Sequence, residues 1–276
     1  MHNSQIRFIG LDLDGTLLTP DKTISPRTRT AIQKCTEKGI LLVPITGRPA
    51  HGLPSCVREI PEFGYAITSN GALTQELTSG VTLASHQIPP KTTAEIINCT
   101  RQYDVSYEIF QNGYGYTTQY TYDQLLRKYQ GTPLLSYITD SRRPLPDLDT
   151  LTSLCLKPVE GISILCKQRC IRNQIHQKLI MLPDIQIVYP NPMNLEINHS
   201  MADKGRAMLS LAEHLGIRPD AILAIGDSDN DRTMLAQAGI GIAMGNATAR
   251  LRSTTHYTTQ DNAHDGVAIV LEHLLT

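Results

Sequence analysis

Short apolar runs recur along this 276-residue chain, and each breaks off in glycine or polar residues. They lie within residues 6–13, in Ile40-Leu41-Leu42-Val43-Pro44-Ile45, from Tyr65 to Ser69, in Ala221-Ile222-Leu223-Ala224-Ile225 and from Ile240 to Met244. Continuous rather than alternating runs of this length read as strands buried on both faces. Helical signals lie between them. Ser25 is an N-cap candidate before Pro26, and Gly39 closes a helix over Pro26 to Lys38. Further helices are expected from Lys204 to Leu215, from about Arg232, and from Val267 to Leu275. Strand–helix–strand repetition predicts an α/β fold, a parallel-sheet core with helices on both faces.

The middle of the chain has a different character. Eight of the 11 tyrosines fall between Tyr103 and Tyr137, and Asn112-Gly113 sits among β-prone residues as a hairpin turn would. Ile88-Pro89-Pro90 opens this region and Tyr189-Pro190-Asn191-Pro192 closes it, in the manner of linkers. The pattern predicts an inserted α+β domain with antiparallel strands over residues 85–191, between core segments 1–84 and 192–276. The tyrosines read as hairpin packing.

Composition narrows the partners. The 25 basic and 26 acidic side chains leave a net charge of -1, which gives no footprint for nucleic acid or an anionic membrane. The first eight residues lack the apolar stretch of a signal peptide, and no apolar run approaches the ~20 residues that span a bilayer. A cytoplasmic location is the simplest expectation. The six cysteines are scattered without a zinc-site spacing and read as free thiols.

Chemistry gathers where strands end. Asp12 and Asp14, in Leu11-Asp12-Leu13-Asp14-Gly15-Thr16, close the first run; residues two apart on a strand face the same side. Asp-Gly is also ordinary turn chemistry. Asp227, Asp229 and Asp231 follow the strand at 221–225, where acidic residues also suit a helix N-terminus. An EF-hand loop is excluded, because Arg232 replaces its glycine and Ala238 its final glutamate. Bringing Asp12, Asp14 and Asp227 together costs on the order of 4 kcal/mol per close pair at an effective dielectric of about 20. A divalent cation removes that cost, and Mg2+ suits carboxylate, carbonyl and water oxygens. Thr46-Gly47-Arg48-Pro49 offers a hydroxyl and backbone N–H groups for an anion, or simply an N-cap. Taken alone, Lys204 reads as a surface lysine and Asn70-Gly71 as a hairpin turn. The glycines at 239, 241 and 245 miss the dinucleotide spacing, and no Walker-type segment exists.

Collected in order, these segments resemble the haloacid dehalogenase-like hydrolases, and within them the Cof-type phosphatases. The resemblance rests on Asp12-Leu13-Asp14-Gly15-Thr16-Leu17-Leu18, Thr46-Gly47-Arg48, Lys204-Gly205, and Gly226-Asp227 with Asn230-Asp231. Ala243-Met244-Gly245-Asn246-Ala247 and Asp265-Gly266-Val267-Ala268 resemble the subfamily's C-terminal segments. Asp203 and Asp229 depart from the residues more usual at their positions.

The resemblance implies a Rossmann-like core with an inserted cap that sets substrate specificity. It implies Asp12 as nucleophile, forming an aspartyl-phosphate, and Asp14 as acid and then base. Mg2+ would be held by Asp12, the backbone carbonyl of Asp14 and Asp227, with Asp231 supporting from nearby. Thr46, the Gly47 amide, Arg48, Lys204, Asn230 and the Leu13 amide would hold the phosphoryl oxygens. The expected activity is Mg2+-dependent hydrolysis of small phosphorylated metabolites, sugar phosphates among them. A phosphomutase using the same intermediate is the alternative. A phosphometabolite-binding module without turnover fits less well, since both aspartates would repel a phosphate.

Overall fold

The structure, a computed structural model, describes residues 6–189 and 192–276. The chain divides into two compact units. The first comprises Met1–Gly47, Pro54–Ala84 and Asp203–Thr276, and the second Arg48–Leu53 and Ser85–Ala202.

The first unit is built on a five-stranded parallel sheet. Its order is Tyr257–Thr258, Ile240–Ala243, Ile222–Gly226, Phe8–Leu11, Leu41–Pro44. Leu11 pairs with Ile225 on one side and Pro44 on the other, so three strands end at one level. Phe8, Ile9, Leu11, Leu42, Val43, Leu223 and Ile225 are all buried, as continuous apolar runs require. Helices cover both faces of the sheet. Ser25 caps the helix Pro26–Glu37 by accepting from the Thr28 amide, and Pro26 occupies its first turn. The helix Lys204–His214 lies so close to the first strand that a Cβ on Gly10 would meet Met208 Sδ at 3.0 Å.

The run from Tyr65 to Ser69, expected in the parallel sheet, takes a different place. Tyr65–Thr68 pairs antiparallel with Leu73–Glu76 in a separate three-stranded sheet, and meets the end of the parallel sheet at the bridge Ile45–Ile67. Ser69, Asn70 and Gly71 form the connecting turn with φ of 51°, 57° and 94°. Asn and Gly tolerate that left-handed region, which explains the dipeptide.

The second unit is an α+β unit with a six-stranded sheet in the order Ile185–Val188, Asn194–His199, Gly161–Cys166, Val105–Gln111, Tyr114–Thr118, Arg142–Leu145. Asn112 and Gly113, both at positive φ, make the predicted hairpin turn between Val105–Gln111 and Tyr114–Thr118. One pairing departs from the antiparallel expectation. Tyr114–Thr118 runs parallel to Arg142–Leu145, because the helices Gln119–Tyr129 and Leu135–Ser141 carry the chain back between them. Ile109, Ile162, Ile164, Ile175, Leu179, Leu195 and Ile197 form this unit's core.

The boundaries of the units differ from those read in the sequence. Asn194–His199 pairs with Gly161–Cys166 and Ile185–Val188, so the segment after 192 stays with the second unit until Ala202. Arg48–Leu53 joins it as well, through a His51 amide bond to the Gly113 carbonyl and a His51–Tyr114 ring stack. Pro190 and Asn191, part of the expected closing linker, lie outside the described residues.

Candidate active site

The first strand lies between Ile222–Gly226 and Leu41–Pro44, so the chain order reverses across it. Such a switch point leaves a crevice beyond the strands' carboxyl ends. Asp12 follows the strand Phe8–Leu11 there, its amide still bonded to the Ile225 carbonyl, and Asp227 follows Ile222–Gly226.

Lys204 organises the carboxylates. It opens the helix Lys204–His214, where the dipole disfavours a cation, and its side chain is only 1% exposed. A buried ammonium at that end needs anionic partners. Lys204 Nζ donates to Asp12 Oδ1 at 2.7 Å and to Asp231 Oδ1 at 2.6 Å. Burial opposes its charge, yet Asp12 and Asp231 more than offset this and hold the ammonium above the usual lysine range.

Asp231 is fully engaged. Its Oδ2 accepts from the Asp227 and Ser228 amides, each at 3.0 Å, closing a capping box with Ser228. Gly226 permits this approach, since a Cβ there would lie 2.6 Å from Asp231 Cβ.

Asp12, Asp227 and Asp231 bring one carboxylate oxygen each within 4.8 Å of one another, a group able to hold a metal ion. Burial, with the charges of Asp231 and Asp227 beside it, holds the Asp12 carboxyl well above its ordinary range, against the pull of Lys204. Burial and Asp231 push Asp227 up to about 6. One ammonium therefore bonds two carboxylates with a third close by, and the all-oxygen donor set suits a hard cation.

The other predicted residues are placed as follows. Thr46 is buried; its amide bonds the Ile67 carbonyl and its carbonyl accepts from the Asn70 amide. Gly47 packs on Asn70, whose Oδ1 a Cβ would meet at 2.9 Å. Asn230 Nδ2 donates to the same Asn70 Oδ1 at 3.1 Å. Asn70 thus links Gly47 to the loop after Gly226, a role beyond a hairpin turn. Leu13 is buried, and its carbonyl accepts from Thr16 and Leu18 in the turn after the strand. Asp14 is more open, with a side chain 39% exposed, and receives Lys22 Nζ at 2.8 Å. Arg48 falls outside this unit. In the second unit it is buried, its Nη1 donates to the Gly52 carbonyl, and its guanidinium lies 4.3 Å from the Tyr137 ring centre.

The two departures noted in the sequence have local reasons. Asp203 is the N-cap of the Lys204 helix, accepting from the Arg206 amide and from Thr233 Oγ1. Asp229 accepts from Thr248 Oγ1 at 3.1 Å and pairs with Arg250.

Three further residues brace the site; the sequence assigns none of them a role, although Asn246 lies in the segment 243–247 that resembles the subfamily. Asn246 Nδ2 donates to the Gly15 carbonyl at 2.8 Å and reaches Asp227 Oδ2 at 3.4 Å. Asn262 bonds both Asn246 Oδ1 and the Leu18 carbonyl. Lys22 is the third. For Asn246 the signal was the family-like segment 243–247; Asn262 and Lys22 lie outside every such segment.

A parallel α/β sheet with clustered carboxylates and a buried lysine at its switch point makes a site suited to a divalent cation and an anionic ligand. A model of the haloacid dehalogenase-like hydrolase family matches residues 9–271, and the chain belongs to that family. Phosphatase YwpJ of Bacillus subtilis is 27% identical over 298 residues, covering 98% of this chain and 100% of that protein. The 5-amino-6-(5-phospho-D-ribitylamino)uracil phosphatase YcsE of the same organism is 26% identical over 268 residues, covering 97% and 95%. A haloacid dehalogenase-like hydrolase from Bacteroides thetaiotaomicron superposes with a TM-score of 0.83 at 27% identity, covering 98% of this chain and all of that one.

Among the described residues no helix is long and apolar enough to cross a membrane. All six cysteines are free, and burial pushes the Cys35 and Cys155 thiols up to about 11, as inert core thiols.

Proposed function

We propose that the protein is a Mg2+-dependent phosphatase that hydrolyses small phosphomonoesters through an aspartyl-phosphate on Asp12. The observation that carries this reading is the buried Lys204 shared by Asp12 and Asp231, with Asp227 beside them. Binding alone gives no reason to bury two carboxylates on one ammonium with a third beside them. Phosphatases among the relatives, one named for a phosphoribityl compound, support the substrate class.

Asp12, the backbone carbonyl of Asp14 and Asp227 would hold the ion, and Asp231 would orient Lys204. When bound, Mg2+ would offset charge on the phosphoryl group. An Asp12 carboxylate oxygen attacks phosphorus as the bond to the leaving oxygen breaks, and Asp14 gives that oxygen a proton. Asp14, now a carboxylate, takes a proton from water as the water oxygen bonds to phosphorus and the Asp12–phosphorus bond breaks. Lys204, Thr46, the Gly47 and Leu13 amides and Asn230 stabilise the charge on the transferring group. The cradle draws on first-unit groups alone, and choice of leaving group is assigned to the second unit.

The test is phosphate release from a panel of sugar phosphates and other small phosphate esters, with Mg2+ and with a chelator. Metal-dependent release that Asp12→Asn reduces at least a thousandfold is expected. Full activity in Asp12→Asn, or isomerised ester without phosphate release, would overturn the reading.

A further inference from the structure

Lys22 is not part of any segment that carries the resemblance, yet its ammonium lies 2.8 Å from Asp14 Oδ1. An ordinary surface pair between flexible side chains contributes ~0–1 kcal/mol and needs no special backbone. This one has a special backbone. Lys22 adopts φ +61°, a left-handed conformation that a lysine takes at a cost. A turn holds it there: the Lys22 amide bonds the Thr19 carbonyl at 2.9 Å, and the Thr19 amide bonds the Thr23 carbonyl at 2.8 Å. The Lys22 carbonyl also accepts from Cys56 Sγ at 3.7 Å.

The partner's loop is braced in the same way. Leu18 and Thr16 amides fold back on the Leu13 carbonyl, and Asn262 Nδ2 holds the Leu18 carbonyl at 2.7 Å. Two fixed turns therefore aim an ammonium at a carboxylate that is otherwise among the more open side chains of the site. Lys22 itself is only 23% exposed, so its side chain is laid along the protein rather than into water.

We propose that Lys22 is a positioning residue for Asp14. It holds Oδ1 and so helps orient the carboxyl group, while the proton carried on Oδ2 is given to the leaving oxygen. Lys22 remains an ammonium throughout, and no proton passes through it. The inference rests on the acid–base role proposed for Asp14. General acid catalysis depends on geometry at the proton-transfer distance, so an Asp14 that loses the hold of Lys22 on Oδ1 would give up part of that contribution.

The effect of losing Lys22 must then depend on how much the leaving group needs a proton. Dinitrophenyl, nitrophenyl and phenyl phosphate form a series in which the departing phenolate becomes steadily more basic. The value of kcat/KM reports the step that releases the phenol. Lys22→Met is expected to leave kcat/KM for dinitrophenyl phosphate within about twofold and to lower it for phenyl phosphate roughly tenfold, within the span general acids supply. Lys22→Arg should recover most of the loss. Lys22→Gly removes the ammonium while relaxing the left-handed turn, so it provides the same test in a chain with less backbone strain.

Equal losses for all three esters, or none, in both Lys22→Met and Lys22→Gly would overturn the proposal. Asp14→Asn separates the two readings. If it steepens the leaving-group dependence while the Lys22 variants do not, the positioning role fails alone. If Asp14→Asn leaves the dependence unchanged, the acid–base reading fails and the inference falls with it.

Discussion

Glycine at position 15 shows how little room the site leaves. Its φ is +83°, and a Cβ built there would lie 2.4 Å from Asp227 Oδ2, inside any tolerable contact. The Gly15 carbonyl is also held by Asn246, so the loop cannot simply move aside. Gly15→Ala should therefore strain the turn by ~1–3 kcal/mol and displace Asp227. Activity is expected to fall at least tenfold, with a higher Mg2+ concentration needed for half-maximal rate, while far-ultraviolet circular dichroism stays unchanged. Wild-type Mg2+ dependence in that variant would show that Asp227 does not set it. At this scale, residue type at a strand end was readable: Asp12, Asp227 and the turn at Asn70-Gly71 stood out by chemistry and position. Lys204 was readable only alongside them, since a lone lysine is ordinarily a surface residue. Lys22 and Asn262 were not, because their partners are set by loop paths that no periodicity encodes; Asn246 stood out only as part of the family-like segment 243–247.

Elements aim these side chains, and the helix Lys204–His214 is the clearest case. Its first residue is the buried lysine, and Asp203 fixes that end by capping the Arg206 amide at 2.9 Å and holding Thr233 Oγ1 at 2.7 Å. The cap answers the unfavourable placement of a cation at a helix N-terminus. Asp203→Ala should cost about 1 kcal/mol of stability as a lost cap. It should also lower kcat more than it raises KM, because fraying at the first turn shifts Lys204 away from Asp12. Denaturant unfolding and steady-state kinetics on the same preparation check both parts; unchanged kcat would detach the cap from the site. Element positions followed the sequence closely. The helix expected over Pro26 to Lys38 runs Pro26–Glu37, and the strand expected at 221–225 runs Ile222–Gly226. Strong caps and unbroken apolar runs leave few alternatives at those positions. The strand at Tyr65–Thr68 was recognisable as a strand, but its sheet was not, since burial on both faces does not specify a neighbour.

For the whole molecule, partition of the chain was the least readable property. Arg48–Leu53 joins the second unit through contacts with Gly113 and Tyr114, more than sixty positions away. Proline clusters mark where a chain turns, not which core it joins. A pH-dependent part of the first unit's stability, by contrast, follows from the charges already described. In the metal-free protein, burial and Asp231 raise Asp227 from its ordinary 3.8 to about 6, and Asp12 is raised as well. The folded state then keeps protons over roughly pH 4 to 6 that the unfolded chain has released. Stability contributed by this cluster must fall as pH rises through that window, because the folded state binds more protons there. Bound Mg2+ acts in the opposite sense. On the proposed reading it would take the deprotonated carboxylates, so its stabilisation would grow with pH and reach about 2.7 kcal/mol at a hundredfold excess over Kd. Asp227→Asn isolates the effect from the exposed carboxylates elsewhere. In chelator, the variant's Tm should exceed that of the parent chain by a few degrees at pH 7, and the difference should vanish by pH 4. With Mg2+ the order should reverse at pH 7, because the variant loses a ligand and the parent gains one. A variant that melts below the parent chain in chelator at pH 7, or that keeps the full Mg2+ increment, would remove Asp227 from the charge cluster that this fold assembles at its switch point.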